Sequence, residues 1–239
     1  MRRAADHTGS RRSYLVTGAS SGIGLAVAQQ LARQGHRVVA TGRRLASDLP
    51  TDFPDVAYHA VDLMDEEKVA SFIGSELTTI DRAILCAGAG FYRGVDLETS
   101  DDIGRIVDVN LTAQVRFAHG LYGVLAERHG RLGLIGSVAH RGAASMPVYA
   151  ATKAALDGFG RSLSLEWHGR VVVKVLHPGP TGTGMAERAG RPADWASRLM
   201  LPPASVAQMI LVALERNTGF RQTLSYGRYL ASLPFRTAI

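Results

Sequence analysis

The stretch "TGASSGIG", Thr17–Gly24, continues the apolar run "YLVTG" (Tyr14–Gly18) and opens the amphipathic run "GIGLAVAQQLARQG". A buried strand that turns into a helix through Gly18, Gly22 and Gly24 lets the backbone bend tightly and approach a ligand closely. The free N–H groups and the dipole at the start of that helix favour phosphate. The same letters hold G-x-S-x-G, the turn that presents a serine nucleophile between strand and helix. In that alternative Ser20 needs a later acid and a histidine, for which His168 and His177 are available. The turn follows the first strand, however, so no preceding strand supplies an oxyanion loop.

Outward from this turn the chain alternates two periodicities. Short apolar runs read as buried parallel strands: Tyr14–Gly18, Arg37–Thr41, Val56–Val61, Arg82–Gly88, Leu132–Ser137 and Val171–His177, with "RQTLSYG" as a candidate closing strand. Helical patterns fill the gaps: Gly22–Gly35, Asp65–Leu77, Ser100–Gly130, Pro147–Gly169 and Pro202–Asn217. Strand–helix alternation predicts an α/β fold, a single-domain Rossmann-type doubly wound parallel sheet flanked by helices, over residues 13–239. Ligands of such sheets sit beyond the carboxyl ends of the strands.

Residues 1–12, "MRRAADHTGSRR", are basic with no apolar core, so they read as a disordered tail rather than a secretory signal. No run of about 18 apolar residues marks a membrane span. The single cysteine, Cys86, excludes a disulfide framework and a cysteine metal site within one chain, and no metal is expected. A reducing, cytoplasmic setting is the expectation. The net charge of +6 comes from arginines spread along the chain without interleaved aromatics, so no nucleic-acid partner is expected.

The second strand bears on the ligand. Sites for NAD place an acid at its end to hold the ribose hydroxyls, whereas an arginine accommodates the 2′-phosphate of NADP. Here the strand runs out into Gly42, Arg43 and Arg44. Guanidinium groups pair with phosphate through charge-assisted, forked hydrogen bonds. NADP(H) is therefore expected over NAD(H).

In "GSVAHRGAASMPVYAATKAAL", Gly136–Leu156, Tyr149 and Lys153 stand four apart on one helix face, twelve residues after Ser137. A phenol has a pKa of about 10. A fixed ammonium nearby is expected to lower it, so that Tyr149 can exchange a proton with a carbonyl or alcohol oxygen. Ser137, at the end of the fifth strand, can steady the same oxygen.

With these motifs in this order, the sequence resembles the short-chain dehydrogenase/reductase family from Ser13 to about Asn217. The resemblance implies that Gly18, Ser20, Ser21, Gly22, Ile23 and Gly24 surround the cofactor phosphates. It also implies that Arg43 and Arg44 meet the 2′-phosphate and that Asp62 and Leu63 lie at the adenine. Asn110, Ser137, Tyr149 and Lys153 match the family's catalytic set, Lys153 and Tyr149 also touching the cofactor. "HPGPTGTGM" resembles the loop that holds the nicotinamide carboxamide, through Pro178, Gly179, Thr181 and Thr183. The implied function is NADP(H)-dependent interconversion of a small-molecule carbonyl and alcohol, in a homodimer or homotetramer.

One departure is plain. The family's NNAG after the fourth strand is "LCAG" here, so Ala87 and Gly88 can line the ribose but both asparagines are gone. Altered stability of the central sheet is expected, with the chemistry kept. Substrate contacts are expected from Ser137, His140, Met146, Met185 and Trp195. The alternative function is a redox sensor that binds NADP(H) without turnover, a reading weakened by the intact Ser137, Tyr149 and Lys153.

Overall fold

The computed structural model describes residues 11–185, 189–190, 200–217 and 219–224. Seven strands form one sheet: β1 (Ser13–Thr17), β2 (Arg37–Gly42), β3 (Ala57–Ala60), β4 (Arg82–Leu85), β5 (Arg131–Ile135), β6 (Val172–Pro178) and β7 (Arg221–Leu224). Their order is β3-β2-β1-β4-β5-β6-β7, with every pair parallel. The strand order reverses between β1 and β4, which opens a crevice at their carboxyl ends, where Thr17 pairs with Leu85.

Both faces of the sheet are covered because successive side chains point opposite ways and both sets are apolar. Leu15, Ala83, Leu85, Leu132, Leu134, Val173 and Val175 face one core, with α2 (Glu66–Glu76), α4 (Ala113–Glu127) and α5 (Pro147–Glu166). Tyr14, Val16, Ile84, Ile135 and Leu176 face the other, with α1 (Gly22–Arg33) and α6 (Pro203–Glu215). Local signals start the helices. Asp65 caps α2 by accepting from Lys68 N, and Pro147 and Pro203 open α5 and α6. Thr99 and Asp102 form a reciprocal capping box on α3 (Ser100–Val107).

The structure departs from expectation in three places. The helix read over Ser100–Gly130 is broken: a π-helical turn, Asp108–Thr112, separates α3 from α4, and Ala113 N donates to Asp108 O. Apolar periodicity runs unbroken through this turn, so only the partner of Asn110 reveals it. β4 ends at Leu85 instead of Gly88 because the chain leaves the sheet there to meet other partners, described below. Arg12 O accepts from Arg37 N at 2.9 Å, which ties this residue of the expected tail to β2. Residues 1–10 and the apolar C-terminal segment from Ser225 lie outside the described residues.

Among the described residues no helix is long and apolar enough to cross a membrane. No group of three or more His, Cys, Asp or Glu among them could hold a metal ion.

Candidate active site

A cleft of about 730 Å³ opens where the strand order reverses. One end is backbone. Gly18 has φ +65°, and a side-chain carbon there would lie 2.8 Å from Ala87 Cα, so the strand can turn under the cleft only with glycine at this position. Ser21 precedes the first turn of α1 in extended conformation without a side-chain cap, leaving the helix N–H groups directed at the cleft. Ser20, Ser21, Gly22, Ile23 and Gly24 all line it.

Arg43 and Arg44, both exposed, form the rim. Arg44 Nη1 reaches Ser20 O at 3.4 Å, and Tyr58 OH donates to Arg44 O at 2.9 Å. A carbon added at Gly42 would meet Ser20 Oγ at 2.8 Å and Tyr58 OH at 3.0 Å. The space in which an acid would stand is filled by two hydroxyls. Burial pushes the Tyr58 phenol up, against the opposing pull of a hydrogen bond with Ser20 and of Arg44. Tyr58 was not singled out by the sequence, since an alternating strand position carries no signal of its partner across the sheet. Asp62 Oδ1 accepts from Met64 N at 3.1 Å, a local turn bond, while Asp62 and Leu63 also line the cleft.

The loop after β4 is held without the two missing asparagines. Ala87 N donates to Thr17 Oγ1 at 3.2 Å, and Gln114 Nε2 bridges Ala87 O and Val109 O at 3.2 and 3.0 Å. Asn110, fully buried behind the cleft wall, accepts from Ala89 N at 2.7 Å and donates to Ala89 O at 2.8 Å and Thr152 Oγ1 at 3.1 Å. The π turn places that amide against the loop. Ala87 and Gly88 line the cleft, whereas Asn110 acts on it through the loop and through α5. Gln114 and Thr152 escaped the sequence reading, because their partners lie in other elements.

The other end of the cleft is made of side chains: half-buried Ser137 with buried Tyr149 and Lys153. Lys153 Nζ donates to Ile135 O at 2.8 Å and stands 5.6 Å from the centroid of the Tyr149 ring. The electrostatics differ from expectation. Burial raises the Tyr149 pKa, and a hydrogen bond with Ser137 opposes it. Burial also lowers Lys153 to about 8, with Cys86 opposing. The reason is solvation: Lys153 is 4% exposed and finds a carbonyl but no carboxylate, and Cys86 is itself pushed up to about 12 by burial. Among the protein's own groups the ammonium does not lower the phenol.

Pro178 at the end of β6 and Gly179, Thr181 and Thr183 beyond it lie on the same cleft, with Met146 and Met185. Phe91, Tyr92 and Arg105 join them, and the sequence reading missed all three. His140 does not line this cleft. Its ring turns back beneath Ser137, Nδ1 lying 2.7 Å from Ser137 O. Trp195 lies outside the described residues. For the nucleophile alternative, Ser20 faces Gly42 and Tyr58, while His177 is engaged with Asp157 at 3.0 Å, so the required partners are not assembled.

The family model described as short chain dehydrogenase matches residues 12–193. The chain is 31% identical over 235 residues to an uncharacterized oxidoreductase of Mycobacterium tuberculosis, covering 88% of this chain and 87% of that protein. It is 35% identical over 182 residues to the 3-oxoacyl-acyl-carrier-protein reductase of Escherichia coli, covering 72% and 74%. Among solved structures, a short-chain dehydrogenase from Sphingobium yanoikuyae in complex with NADPH superposes with a TM-score of 0.76 at 27% identity, over 92% of this chain and 91% of that one.

Proposed function

The chain belongs to the short-chain dehydrogenase/reductase family of oxidoreductases, and from that premise we propose that it interconverts a carbonyl and an alcohol with NADP(H). The observation that carries this reading is the meeting of Ser137, Tyr149 and Lys153 at one end of a cleft whose other end is a glycine turn and an uncapped helix start. That turn fits a pyrophosphate, since a side chain at Gly18 would close the approach. Arg43 and Arg44 at the rim, and the filled space at Gly42, support NADP(H) over NAD(H), as does the NADPH complex of the Sphingobium relative. The nicotinamide cofactor supplies or accepts hydride.

The protein's own work is positioning and proton transfer. Tyr149 gives a proton to the substrate oxygen in reduction and takes it back in oxidation. Ser137, on the same cleft as Tyr149, donates to the same oxygen and steadies its developing charge. Lys153 holds a proton beside the phenol, and Asn110 fixes the loop and α5 that carry this set. Asp62, Leu63, Ala87, Gly88, Pro178, Gly179, Thr181 and Thr183 complete the cofactor's walls, and Met146 and Met185 those of the substrate. Residues 13–239 act as one catalytic unit in the cytoplasm. The exposed face of α5, with Ala151, Ala154, Gly158 and a 72% exposed Leu165, supports a homodimer or homotetramer.

Turnover of NADPH over a panel of ketones and aldehydes tests this reading. Wild type is expected to reduce members of the panel, and Tyr149→Phe to lose about 100- to 10,000-fold in kcat while binding cofactor as before. Tight cofactor binding with equal inertness of both proteins would return the sensor alternative.

A further inference from the structure

β6 delivers one more buried group to the back of Ser137. His177 is fully buried, and its ring lies against Gly136, where a side-chain carbon would come within 2.5 Å of Nδ1. Nε2 is 3.0 Å from Asp157 Oδ1 on α5, and Asp157 Oδ2 receives Arg221 Nη1 from β7 at 3.0 Å. Nδ1 faces both ends of one residue: Ser137 N at 3.3 Å and Ser137 O at 3.0 Å. His140 Nδ1 shares that carbonyl at 2.7 Å, and the two imidazole rings stand 4.0 Å apart at 32°.

We propose that His177, oriented by Asp157, is a positioning residue for Ser137, whose peptide it holds from behind the cleft in a manner set by its protonation state. The inference rests on the reading of Ser137 as a catalytic group. A carboxylate only accepts, so Nε2 carries a proton whether the ring is neutral or charged. In the neutral ring Nδ1 has a lone pair and accepts from Ser137 N–H. In the imidazolium Nδ1–H donates to Ser137 O instead. Gaining one proton therefore reverses the bond between the ring and the peptide that bears the catalytic hydroxyl.

The groups that face His177 are His140 from the turn after β5, Asp157 from α5 and, behind Asp157, Arg221 from β7. Burial lowers the pKa of His177, Asp157 and the Ser137 bond oppose this, and His140 adds to it. At neutral pH the ring is thus neutral and holds the Ser137 N–H, with His140 donating to the carbonyl. Acid drives a second Nδ1–H onto that carbonyl, against His140, and the peptide must move. A pair that only packed α5 onto β6 would leave the Ser137 peptide indifferent to pH.

The test follows His177 ring nitrogens and the Ser137 amide of the full chain by NMR between about pH 5 and 8, together with kcat in the same range. In wild type the Ser137 amide shift is expected to titrate in step with the ring. Asp157→Asn removes a charge that raises His177, so the ring, the amide and the acid limb of kcat are all expected to move to lower pH. His177→Gln abolishes the pH response of the amide and lowers kcat by up to about 100-fold, through misplacement of Ser137, with cofactor KM unchanged. A His177 ring that titrates while the Ser137 amide stays still overturns the proposal, as does a ring that does not titrate at all. Ser137→Ala, assayed alongside, separates the two readings. If it turns over like wild type, the catalytic reading of Ser137 fails. If it is inert while His177→Gln and Asp157→Asn keep wild-type kcat and pH profile, positioning fails and the catalytic reading stands.

Discussion

At one end of the cleft the wall is main chain: Gly18 in a left-handed conformation, an uncapped α1 and two exposed arginines at the rim. At the other, Ser137 just beyond β5 and Tyr149 and Lys153 on α5 are side chains, the last two almost without solvent, with Ser137 and Lys153 each held by a specific bond. A backbone wall tolerates change wherever no side chain intrudes, and it responds to ligand charge through its rim. A wall of buried polar side chains depends on every partner, and its proton affinities are set by lack of water. Substitutions at the first end should therefore act on binding and stability, and at the second on rate and pH response.

The largest effect expected from breaking this contrast is at Lys153. Lys153→Met should lower kcat at least about 100-fold, and steady-state kinetics with saturating cofactor would show it. Asn110→Ala comes next, because it strands the Ala89 N–H and C=O and removes a bond to Thr152. It should cost about 1–3 kcal/mol for each buried group left unpaired, read as a fall in the denaturant midpoint. Gly18→Ala should destabilise by about 1–2 kcal/mol from the left-handed backbone alone. It also presses on Ala87, so weaker cofactor binding is expected with it, measured by calorimetry.

A pH-dependent effect sharpens the account of the buried end. Burial holds Lys153 at about 8 in the folded protein, against 10.5 when solvated. Between these values the unfolded chain binds more protons than the folded one, so stability rises with pH across that window. Below about 8 the cost of a buried ammonium is fully present, and above 10.5 it is gone. The melting temperature of wild type, taken relative to Lys153→Met without cofactor, should climb between these limits. A flat difference would mean that Lys153 keeps its charge without cost.

The two ends also differ in how far they can be read from sequence. The glycine turn and the Tyr149–Lys153 pair are local, spanning one turn or one helical repeat, so order and spacing reveal them. The alternation of apolar strands likewise reveals a doubly wound parallel sheet. What supports the buried end is not local. Gln114 meets Ala87 across 27 residues, Tyr58 meets Ser20 across a strand, and His177 meets Ser137 across 40 residues. Such pairs come together only through strand order and register, as β5 aligning Ile135 with Leu176 brings Ser137 beside His177. The π turn at Asp108–Thr112 was hidden for a related reason, since hydrophobic periodicity does not record a side chain that bonds away from its own helix. Spacing places a lysine near the phenol but says nothing about the burial that raises the Tyr149 pKa.

A fluorescence titration of the protein with NADPH and with NADH, at one fixed ionic strength, tests the central claim most directly. NADPH should bind more tightly, and the preference should collapse in Arg43→Ala while NADH binding changes little, as expected of a guanidinium whose proposed partner is the 2′-phosphate alone. Binding of neither nucleotide, or equal binding of both in wild type and variant, would contradict it.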